Sequence, residues 1–237
     1  MNRTPITLRV ARKADLDRLV EMNRAAYPDL VEEGVVWSRE QLEAHLARFP
    51  EGQLVAHASG VIVGAISTLV LPASFDALAP HTWYEATSHG LFTAHDPAGP
   101  TLYLADVYVD PAFQGIGVGR TLYAGLRAMC VGLRRSSVVA GGRLWGYADV
   151  APAMSIHEYV AGVVSGKRFD PVLVSQLRAG FTVKGLLPGY LQDARSGDWA
   201  TLLEWRNPSM PRAGSYAVPS SSRGMAQASA PLSTPSP

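Results

Sequence analysis

The chain has 237 residues, of which 47% are hydrophobic and 17% charged, and this composition is typical of a globular protein with a sizeable apolar core. Its formal net charge of +1, without a dense cluster of lysine and arginine, argues against a dedicated nucleic-acid binder. The single cysteine, Cys130, excludes an internal disulfide and argues against a zinc site built from cysteines.

The sequence gives no sign of export or of insertion into a membrane. The start, MNRTPITLRVAR, lacks the apolar core of a signal peptide. The longest apolar run, Val61–Leu71, is too short to cross a bilayer as a helix. We therefore expect a cytoplasmic protein that makes no membrane contact.

The spacing of apolar residues predicts strands and helices over most of the chain. Short runs rich in β-branched residues indicate strands, and recurrence every three or four residues indicates helices, most clearly at 117–133. Ser38, with Gln41 three positions on, is typical of a capping box at a helix start. The predicted order is strand 6–10, helices 14–27 and 38–49, strands 53–59, 61–71 and 101–109, helix 117–133, strand 136–140, helices 156–164 and 171–180, and strands 181–187 and 201–205.

Three segments lack this periodicity. Residues 72–100 and about 141–170 are long and irregular, and loops of this length are usually functional or disordered. We expect both to be insertions in a domain spanning 1–206, with a short helix in the second. Residues 207–237 are mostly Pro, Ser, Ala and Gly, a composition that predicts a disordered tail.

The stretch Gln114–Gly119 places three glycines on alternate positions where a strand passes into a helix. A dinucleotide-binding loop would need glycine or alanine at position 120 or 122, where the chain has Arg120 and Leu122. A P-loop would need Gly-Lys-Ser/Thr, and here arginine follows the last glycine. A tight turn without any ligand is the remaining structural alternative.

A diphosphate is a ligand that these glycines would fit. The first N–H groups of a helix have no partner within the helix, and the helix dipole adds a partial positive charge there. Glycines remove the Cβ atoms that would hold a diphosphate away from those donors. The pattern Gln114-x-x-Gly117-x-Gly119 resembles the acyl-CoA-binding motif of the GNAT superfamily of N-acetyltransferases.

The resemblance extends beyond this motif. GNAT proteins arrange a strand, two helices, three strands, a helix, a strand, a helix and two closing strands, which is the order predicted above. Residues 92–97, 140–147 and 201–205 look like the acetyltransferase half of bacterial proteins in which a GNAT domain is fused to a nitrilase-like carbon–nitrogen hydrolase. The resemblance implies an α/β (α+β) fold, with a mixed central sheet of about seven strands flanked by helices on both faces.

The resemblance also implies where acetyl-CoA binds as co-substrate. In the GNAT fold a bulge splays the motif-bearing strand from its neighbour, and freed backbone groups bind the pantetheine arm and polarise the thioester. A change of apolar phase between Leu104 and Val107 fits such a bulge. Arg120 either contacts a CoA phosphate or lies in solvent. The implied CoA-binding residues are Val107, Tyr108, Val109, Gln114, Gly115, Ile116, Gly117, Val118, Gly119 and Arg120.

Asp106 is the only ionisable group in the core of the predicted strand. An aspartate among apolar residues is costly unless it has a partner. It either faces the acceptor, one or two residues before the bulge, and orients or deprotonates the amine, or it is a structural residue bonded to backbone donors. His157 and Glu158 are reserve bases, which a surface helix would explain equally well.

The residue that would protonate the leaving thiolate departs from the family's pattern. The family often uses a tyrosine on the late helix, and alignment of the helix-to-strand junction at 180–181 puts Gln176 there. Glutamine cannot act as an acid, although it can donate a hydrogen bond to sulfur. Tyr147 and Tyr159 are the candidate substitutes, or they are packing residues. The side chains that we expect to shape the acceptor side are Arg143, Tyr147, His95 and Trp83.

The leading hypothesis is an acyl-CoA-dependent N-acetyltransferase that moves an acetyl group directly to an amine, on a small molecule or on a protein. A non-catalytic acyl-CoA sensor is the alternative, because Gln176 stands in the tyrosine position. A third hypothesis is a partner for a separately encoded hydrolase. No histidines and acidic residues have metal-ligand spacing, so we expect no metal. Homodimerisation is left open.

Overall fold

A computed structural model describes residues 5–210, and a seven-stranded mixed sheet runs through them. The strands lie in the order β1-β2-β3-β4-β5-β7-β6, and every neighbouring pair is antiparallel except β4 and β5, which are parallel. Their bounds are β1 Thr7–Val10, β2 Gln53–Ala58, β3 Val61–Leu71, β4 Thr101–Val109, β5 Ser137–Arg143, β6 Thr182–Leu187 and β7 Ala200–Arg206.

Helices cover both faces of this sheet. Within the described residues they are α1 Leu16–Ala26, α2 Arg39–Arg48, α3 Trp83–Thr87, α4 Val118–Gly132, α5 Ile156–Val164 and α6 Pro171–Arg178. The first three pack on one face through side chains such as Met22 and Leu42, and the last three pack on the other through Leu122 and Leu173. The predicted fold class is confirmed. None of these helices is long and apolar enough to pass through a bilayer.

Three of these helices, α2, α3 and α5, begin with a capping box, in which each of two side chains accepts a hydrogen bond from the other residue's backbone N–H. At α2, the predicted one, Gln41 N donates to Ser38 Oγ at 3.1 Å and Ser38 N donates to Gln41 Oε1 at 2.9 Å. At α3, Thr82 and Glu85 make the same pair of bonds. The segment 72–100 was expected to be irregular throughout, and the Thr-x-x-Glu pattern within it is the signal for this short helix.

Asn207, the first residue of the predicted tail, packs against the sheet. Asn207 is buried, its backbone N donates to Ser136 O at 2.9 Å, and its Nδ2 donates to Arg135 O at 2.8 Å. These bonds tie it to the start of β5. The rest of the predicted tail, from residue 211 onward, falls outside the described residues.

Strand β4 contains the predicted bulge, at Ala105. Ser67 of β3 pairs with Asp106 and the next residue, Thr68, pairs with Leu104, which leaves Ala105 unpaired between them. The extra residue turns Val107 towards the same core as Leu104, so the change of apolar phase is real. One detail of the prediction was wrong: Asp106 directly follows the bulge instead of preceding it.

The two parallel strands diverge beyond this bulge. β4 pairs with β5 only over Thr101–Leu104, opposite Ser137–Ala140, whereas β5 continues to Arg143 by pairing with β7 alone. The backbone of β4 after Leu104 therefore has no strand partner on the β5 side. A gap opens there in the middle of the sheet.

Loss of the Asp170 side chain at the start of α6 is expected to lower the free energy of unfolding by about 2–4 kcal/mol. The carboxylate is fully buried, caps α6 by accepting from Val172 N and Leu173 N at 3.0 and 2.9 Å, and accepts from Tyr159 Oη at 2.9 Å. Asp170→Ala removes the cap and leaves a tyrosine hydroxyl without its partner.

Urea denaturation would measure this effect, with Ser155→Ala as the matched control. Ser155 also caps its helix, α5, by accepting a hydrogen bond from a backbone N–H of the first turn, but it is exposed, so its loss should cost only about 1 kcal/mol. If the two variants lose the same free energy of unfolding, the buried hydrogen bond between Asp170 and Tyr159 adds no stability beyond that of the helix cap.

Candidate active site

A cavity of about 890 Å³ lies where β4 and β5 diverge. One wall is the end of β4 with the loop that follows it. The others come from the segment between α1 and α2, from α6, and from the loop between β6 and β7. Side chains from both faces of the sheet therefore meet at a single opening.

Backbone donors of β4 point into this gap. Asp110 N donates to Val63 O on β3 at 3.0 Å, and alternate N–H groups along a strand point the same way. The N–H groups of Val107 and Val109 consequently face away from β3, towards the cavity that both residues line. Two of the implied CoA-binding residues thus offer unshared backbone donors at the gap.

Asp106 lines the cavity directly after the bulge. Its Oδ1 accepts a hydrogen bond from Tyr27 Oη at 2.8 Å, and its Oδ2 accepts one from Asn23 Nδ2 at 2.8 Å. Asn23 is oriented in turn by the backbone N–H of Trp37, which donates to its Oδ1 at 2.9 Å. The aspartate is therefore held by side chains of α1 and the segment after it, and not by a set of backbone donors.

Burial raises the pKa of Asp106 to about 6, while the hydrogen bonds from Tyr27 and Asn23 lower it. The indole N–H of Trp37 lies close enough to lower it as well, although Nε1 makes no hydrogen bond with any described residue. Burial and the nearby carboxylate raise the pKa of Tyr27, so its hydroxyl keeps its proton and acts as a donor. A carboxyl group with a pKa near 6 is suited to accept a proton around neutral pH.

The loop that leads from β4 into α4 has the backbone that its glycines permit. Gly115 has a φ of 77° and Gly117, the N-cap of α4, has a φ of 103°, a region that residues with a Cβ rarely occupy. Asp110 anchors the start of the loop through an ion pair with Arg18 of α1. The loop is thereby fixed to both faces of the sheet.

Gly119 supports the fit of this helix start to a diphosphate. It lies in the first turn of α4 without a positive φ, and a Cβ built there would meet only Val109 Cγ2, at 4.0 Å. Neither backbone strain nor internal packing therefore requires glycine. A close approach by a ligand would require it, and Gly119 lines the cavity together with Gln114. Arg120 is exposed beside this turn.

The wall formed by α6 brings Gln176 to the cavity. This side chain is buried, and its Oε1 has no hydrogen-bond partner among the described residues. It packs so closely on Gly142 of β5 that a Cβ there would overlap Oε1. Tyr123 of α4 lines the cavity beside it, and burial raises the pKa of its hydroxyl.

The opposite wall is tied together by Arg143 at the end of β5. Its Nε and one Nη donate to the two carboxylate oxygens of Asp193 at 2.9 and 2.7 Å. The same Nη donates to Asp29 Oδ2 at 2.7 Å. The guanidinium therefore connects the segment after α1 with the loop between β6 and β7, and two carboxylates neutralise its charge.

Of the predicted acceptor-side residues, Trp83 and Arg143 line the cavity, whereas His95 does not. The Trp83 Nε1–H donates to the carbonyl of Ala105 at 3.1 Å and so supports the bulge. His95 stacks on Phe49, and its Nδ1 accepts from the backbone of β3.

The predicted substitutes for the proton donor and the base lie elsewhere. Tyr147 and Tyr159 pack edge to face with ring centroids 5.5 Å apart in the core under α5, outside the cavity lining. His157 and Glu158 are exposed on α5, where Glu158 completes a capping box with Ser155. The structure therefore does not bring Tyr147 to the site, because its ring is needed as core between α5 and the sheet.

Three residues at or next to the cavity were missed by the sequence analysis. Asn23 and Tyr27, which hold Asp106, and Tyr123, which lines the cavity, were assigned only to predicted helices. The polar Asn23 beside buried Met22 was the available signal, since a buried amide needs partners. The described residues contain no group of three His, Cys, Asp or Glu side chains arranged to hold a metal ion.

Comparison with known proteins agrees with this site. Residues 16–141 match the acetyltransferase (GNAT) family. The "Uncharacterized N-acetyltransferase YkwB" of Bacillus subtilis (strain 168) is 34% identical over 203 residues, which cover 85% of this chain and 89% of that protein. The "Probable hydrolase YhcX" of the same organism is 35% identical over 204 residues, which cover 85% of this chain but only 39% of that protein.

A solved structure is also similar over most of the chain. It is a GNAT-like decarboxylase, GphF, in complex with isobutyryl-CoA, and it is 28% identical with a TM-score of 0.72. The alignment covers 85% of this chain and 99% of that one. The family match and the relative that is 34% identical show that the chain belongs to the GNAT family of acyl-CoA-dependent acetyltransferases.

Proposed function

We propose that the protein transfers an acetyl group from acetyl-CoA directly to a primary amine, with Asp106 as the group that receives the amine and takes its proton. The observation that carries this proposal is a carboxylate of raised pKa beside the bulge, held by Asn23 and Tyr27 at the edge of the cavity. A cytoplasmic location and a homodimer stay predictions.

The amine would enter as an ammonium ion and pair with Asp106. The hydrogen bonds from Tyr27 and Asn23 leave a second lone pair on each carboxylate oxygen for this contact. Transfer of one proton to the carboxylate gives the neutral amine, whose nitrogen attacks the thioester carbonyl carbon. The second proton leaves the nitrogen when the amide forms and ends on the departing CoA thiolate, so that ammonium, carboxylate and thioester give amide, protonated Asp106 and CoA thiol.

Oxyanion stabilisation is assigned to the backbone of β4. The N–H groups of Val107 and Val109 face the gap, and a donor aimed at a developing oxyanion contributes about 3–4 kcal/mol of transition-state stabilisation. The C–S bond then breaks and the CoA thiolate takes a proton. Tyr123 and the Gln176 amide, which line the cavity on the α4 and α6 side, are the proposed hydrogen-bond donors to that sulfur.

Release of CoA thiol from acetyl-CoA in the presence of amines tests the proposal, with mass spectrometry of the acylated product. Amine-dependent release that rises with amine concentration and saturates is the expected result. Tight binding of acetyl-CoA without thiol release across small amines, amino acids and protein lysines would instead support the sensor hypothesis.

Decarboxylation of an acyl-CoA is a second candidate, favoured by the similarity to GphF across nearly the whole of that chain. Loss of CO₂ next to a thioester leaves an enolate, which the same backbone donors could stabilise. The charge of Asp106, however, would repel the substrate's carboxylate and attract an ammonium group. Incubation with malonyl-CoA or methylmalonyl-CoA without an acceptor separates the two reactions, because only a decarboxylase releases CO₂ there.

A further inference from the structure

We propose that the acceptor is a small primary amine carried on a flat apolar body, aromatic by preference, with no carboxylate next to the amino group. This inference rests on the proposed transfer to an amine and goes beyond it by naming the chemical class of that amine. It follows from the walls of the cavity that lie away from the CoA-binding loop.

Those walls contain five aromatic rings. Trp37 and Trp83 lie with ring centroids 5.2 Å apart, and each is fixed by hydrogen bonds of its own backbone or indole. Tyr190 is fixed by a hydrogen bond of 2.9 Å between its hydroxyl and that of the fully buried Tyr103. The rings that line this part of the cavity are Tyr27, Trp37, Trp83, Trp145 and Tyr190.

Such rings suit an apolar amine for two reasons. Their faces attract cations by about 0.5–2 kcal/mol, and they pack against another flat ring with offset or edge-to-face geometry. Since the rings are already held in place, binding costs little side-chain entropy.

The charges within the cavity indicate that the ligand is positively charged. The hydrogen-bond partners of Asp106, Asn23 and Tyr27, are both neutral, and no cation among the described residues forms an ion pair with this carboxylate. An ammonium group beside Asp106 would supply the missing positive charge. A ligand with a single positive charge therefore completes the site.

The charges of the lining residues also disfavour a ligand that carries a carboxylate or additional ammonium groups. The guanidinium of Arg143 is already neutralised by Asp193 and Asp29, so it has no charge to spare for a substrate carboxylate. Arg195, the other lining cation, lies over the exposed ring of Trp145 at 3.9 Å. Asp29, the other carboxylate among the lining residues, is already paired with Arg143, so the further ammonium groups of a polyamine would have to compete for it or be desolvated without a partner, which is costly.

The test compares three acceptors at saturating acetyl-CoA: 2-phenylethylamine, phenylalanine and spermidine. The first two differ only by the carboxylate, and the third carries additional cations on an aliphatic chain. We expect kcat/KM for 2-phenylethylamine to exceed that for either other amine by about ten-fold or more. A higher value for phenylalanine or spermidine would overturn the inference and leave the proposed transfer intact.

A variant of Leu191, which lines the cavity from the loop between β6 and β7, changes the charge of this wall. Leu191→Arg adds a cation, and we expect it to reduce the ratio of kcat/KM for 2-phenylethylamine over phenylalanine by about ten-fold. The matched neutral variant, Leu191→Met, should keep the order of preference. An unchanged ratio in Leu191→Arg would contradict the assignment of this wall to the acceptor.

Failure of the proposed function would be recognised separately. If acetyl-CoA binds but no amine releases thiol, transfer to amines is wrong. Calorimetric titration of the CoA complex with the same three amines would then still test the pocket. Tighter binding of phenylalanine or spermidine than of 2-phenylethylamine, or no binding of 2-phenylethylamine, would overturn the inference by itself.

Discussion

Gly119→Glu is expected to weaken CoA binding by about 10- to 1,000-fold while leaving the fold intact. The new side chain would meet almost no protein atoms, because the nearest contact of a Cβ at this position is Val109 Cγ2 at 4.0 Å. A carboxylate in the first turn of α4 also interacts favourably with the helix dipole, by about 0.3–1 kcal/mol. The same carboxylate would stand where the diphosphate approaches and would repel it.

Isothermal titration with CoA and thermal unfolding without ligand measure the two effects. Gly119→Ala is the matched control: it adds a Cβ without a charge, should stabilise the helix by up to about 1 kcal/mol, and should weaken CoA binding less than glutamate does. Gly117 is a poorer site for this experiment, since its φ of 103° would strain any replacement. An unchanged affinity of Gly119→Glu for CoA would show that the diphosphate does not bind at this helix start.

The fold was predictable because its signals are local. The apolar spacing along α4 and the capping box at Ser38 depend on residues within one or two helical turns, and both were read correctly. The bulge in β4 was visible as a change of apolar phase, since a bulge reverses which side chains face each core. The position of Asp106 relative to the bulge was predicted wrongly. Ala105 is apolar, so it fits the apolar pattern both before and after the change of phase and does not mark the bulged residue.

The surroundings of Asp106, the proposed catalytic residue, were less accessible to sequence analysis, because their contacts join distant parts of the chain. Asn23 and Tyr27 reach Asp106 across 83 and 79 residues, and nothing in the local pattern of α1 pairs them with an aspartate on β4. Gln176 does line the cavity, as the alignment implied, but the tyrosine beside it is Tyr123 of α4 and not Tyr147. From the sequence alone, a tyrosine within a helix such as Tyr123 cannot be told from a core residue. Only the position of the facing cavity wall shows that it lines the site.

Asp106→Asn is expected to lower kcat/KM by about 10²- to 10⁴-fold, the usual contribution of a positioned general base. The amide keeps an oxygen that accepts a hydrogen bond but can neither take a proton nor balance an ammonium charge. In the parent protein, kcat/KM should fall as the pH drops below about 6, because protonation of Asp106 abolishes both roles. The variant should lack this limb of the pH profile.

The same substitution is expected to raise stability above pH 6. The folded-state pKa of Asp106, about 6, exceeds the ordinary value of 3.8, so the folded protein binds the proton more tightly than the unfolded chain. Stability conferred by the protonated group is therefore present at low pH and is lost as the pH rises through 6. The amide side chain of the variant carries no charge to desolvate. At pH 8 the free energy of unfolding of the variant should therefore exceed that of the parent by about 1–2 kcal/mol.

Urea denaturation at pH 5 and pH 8 would measure this gain, which should be larger at the higher pH. Asp17→Asn is the control, because Asp17 lies on the exposed side of α1 and its loss should change stability by less than about 0.5 kcal/mol at either pH. A variant that is inactive and also less stable at pH 8 would identify Asp106 as a structural residue. A variant that is inactive and more stable would show that the protein keeps a half-buried carboxylate for its chemistry at a cost in stability.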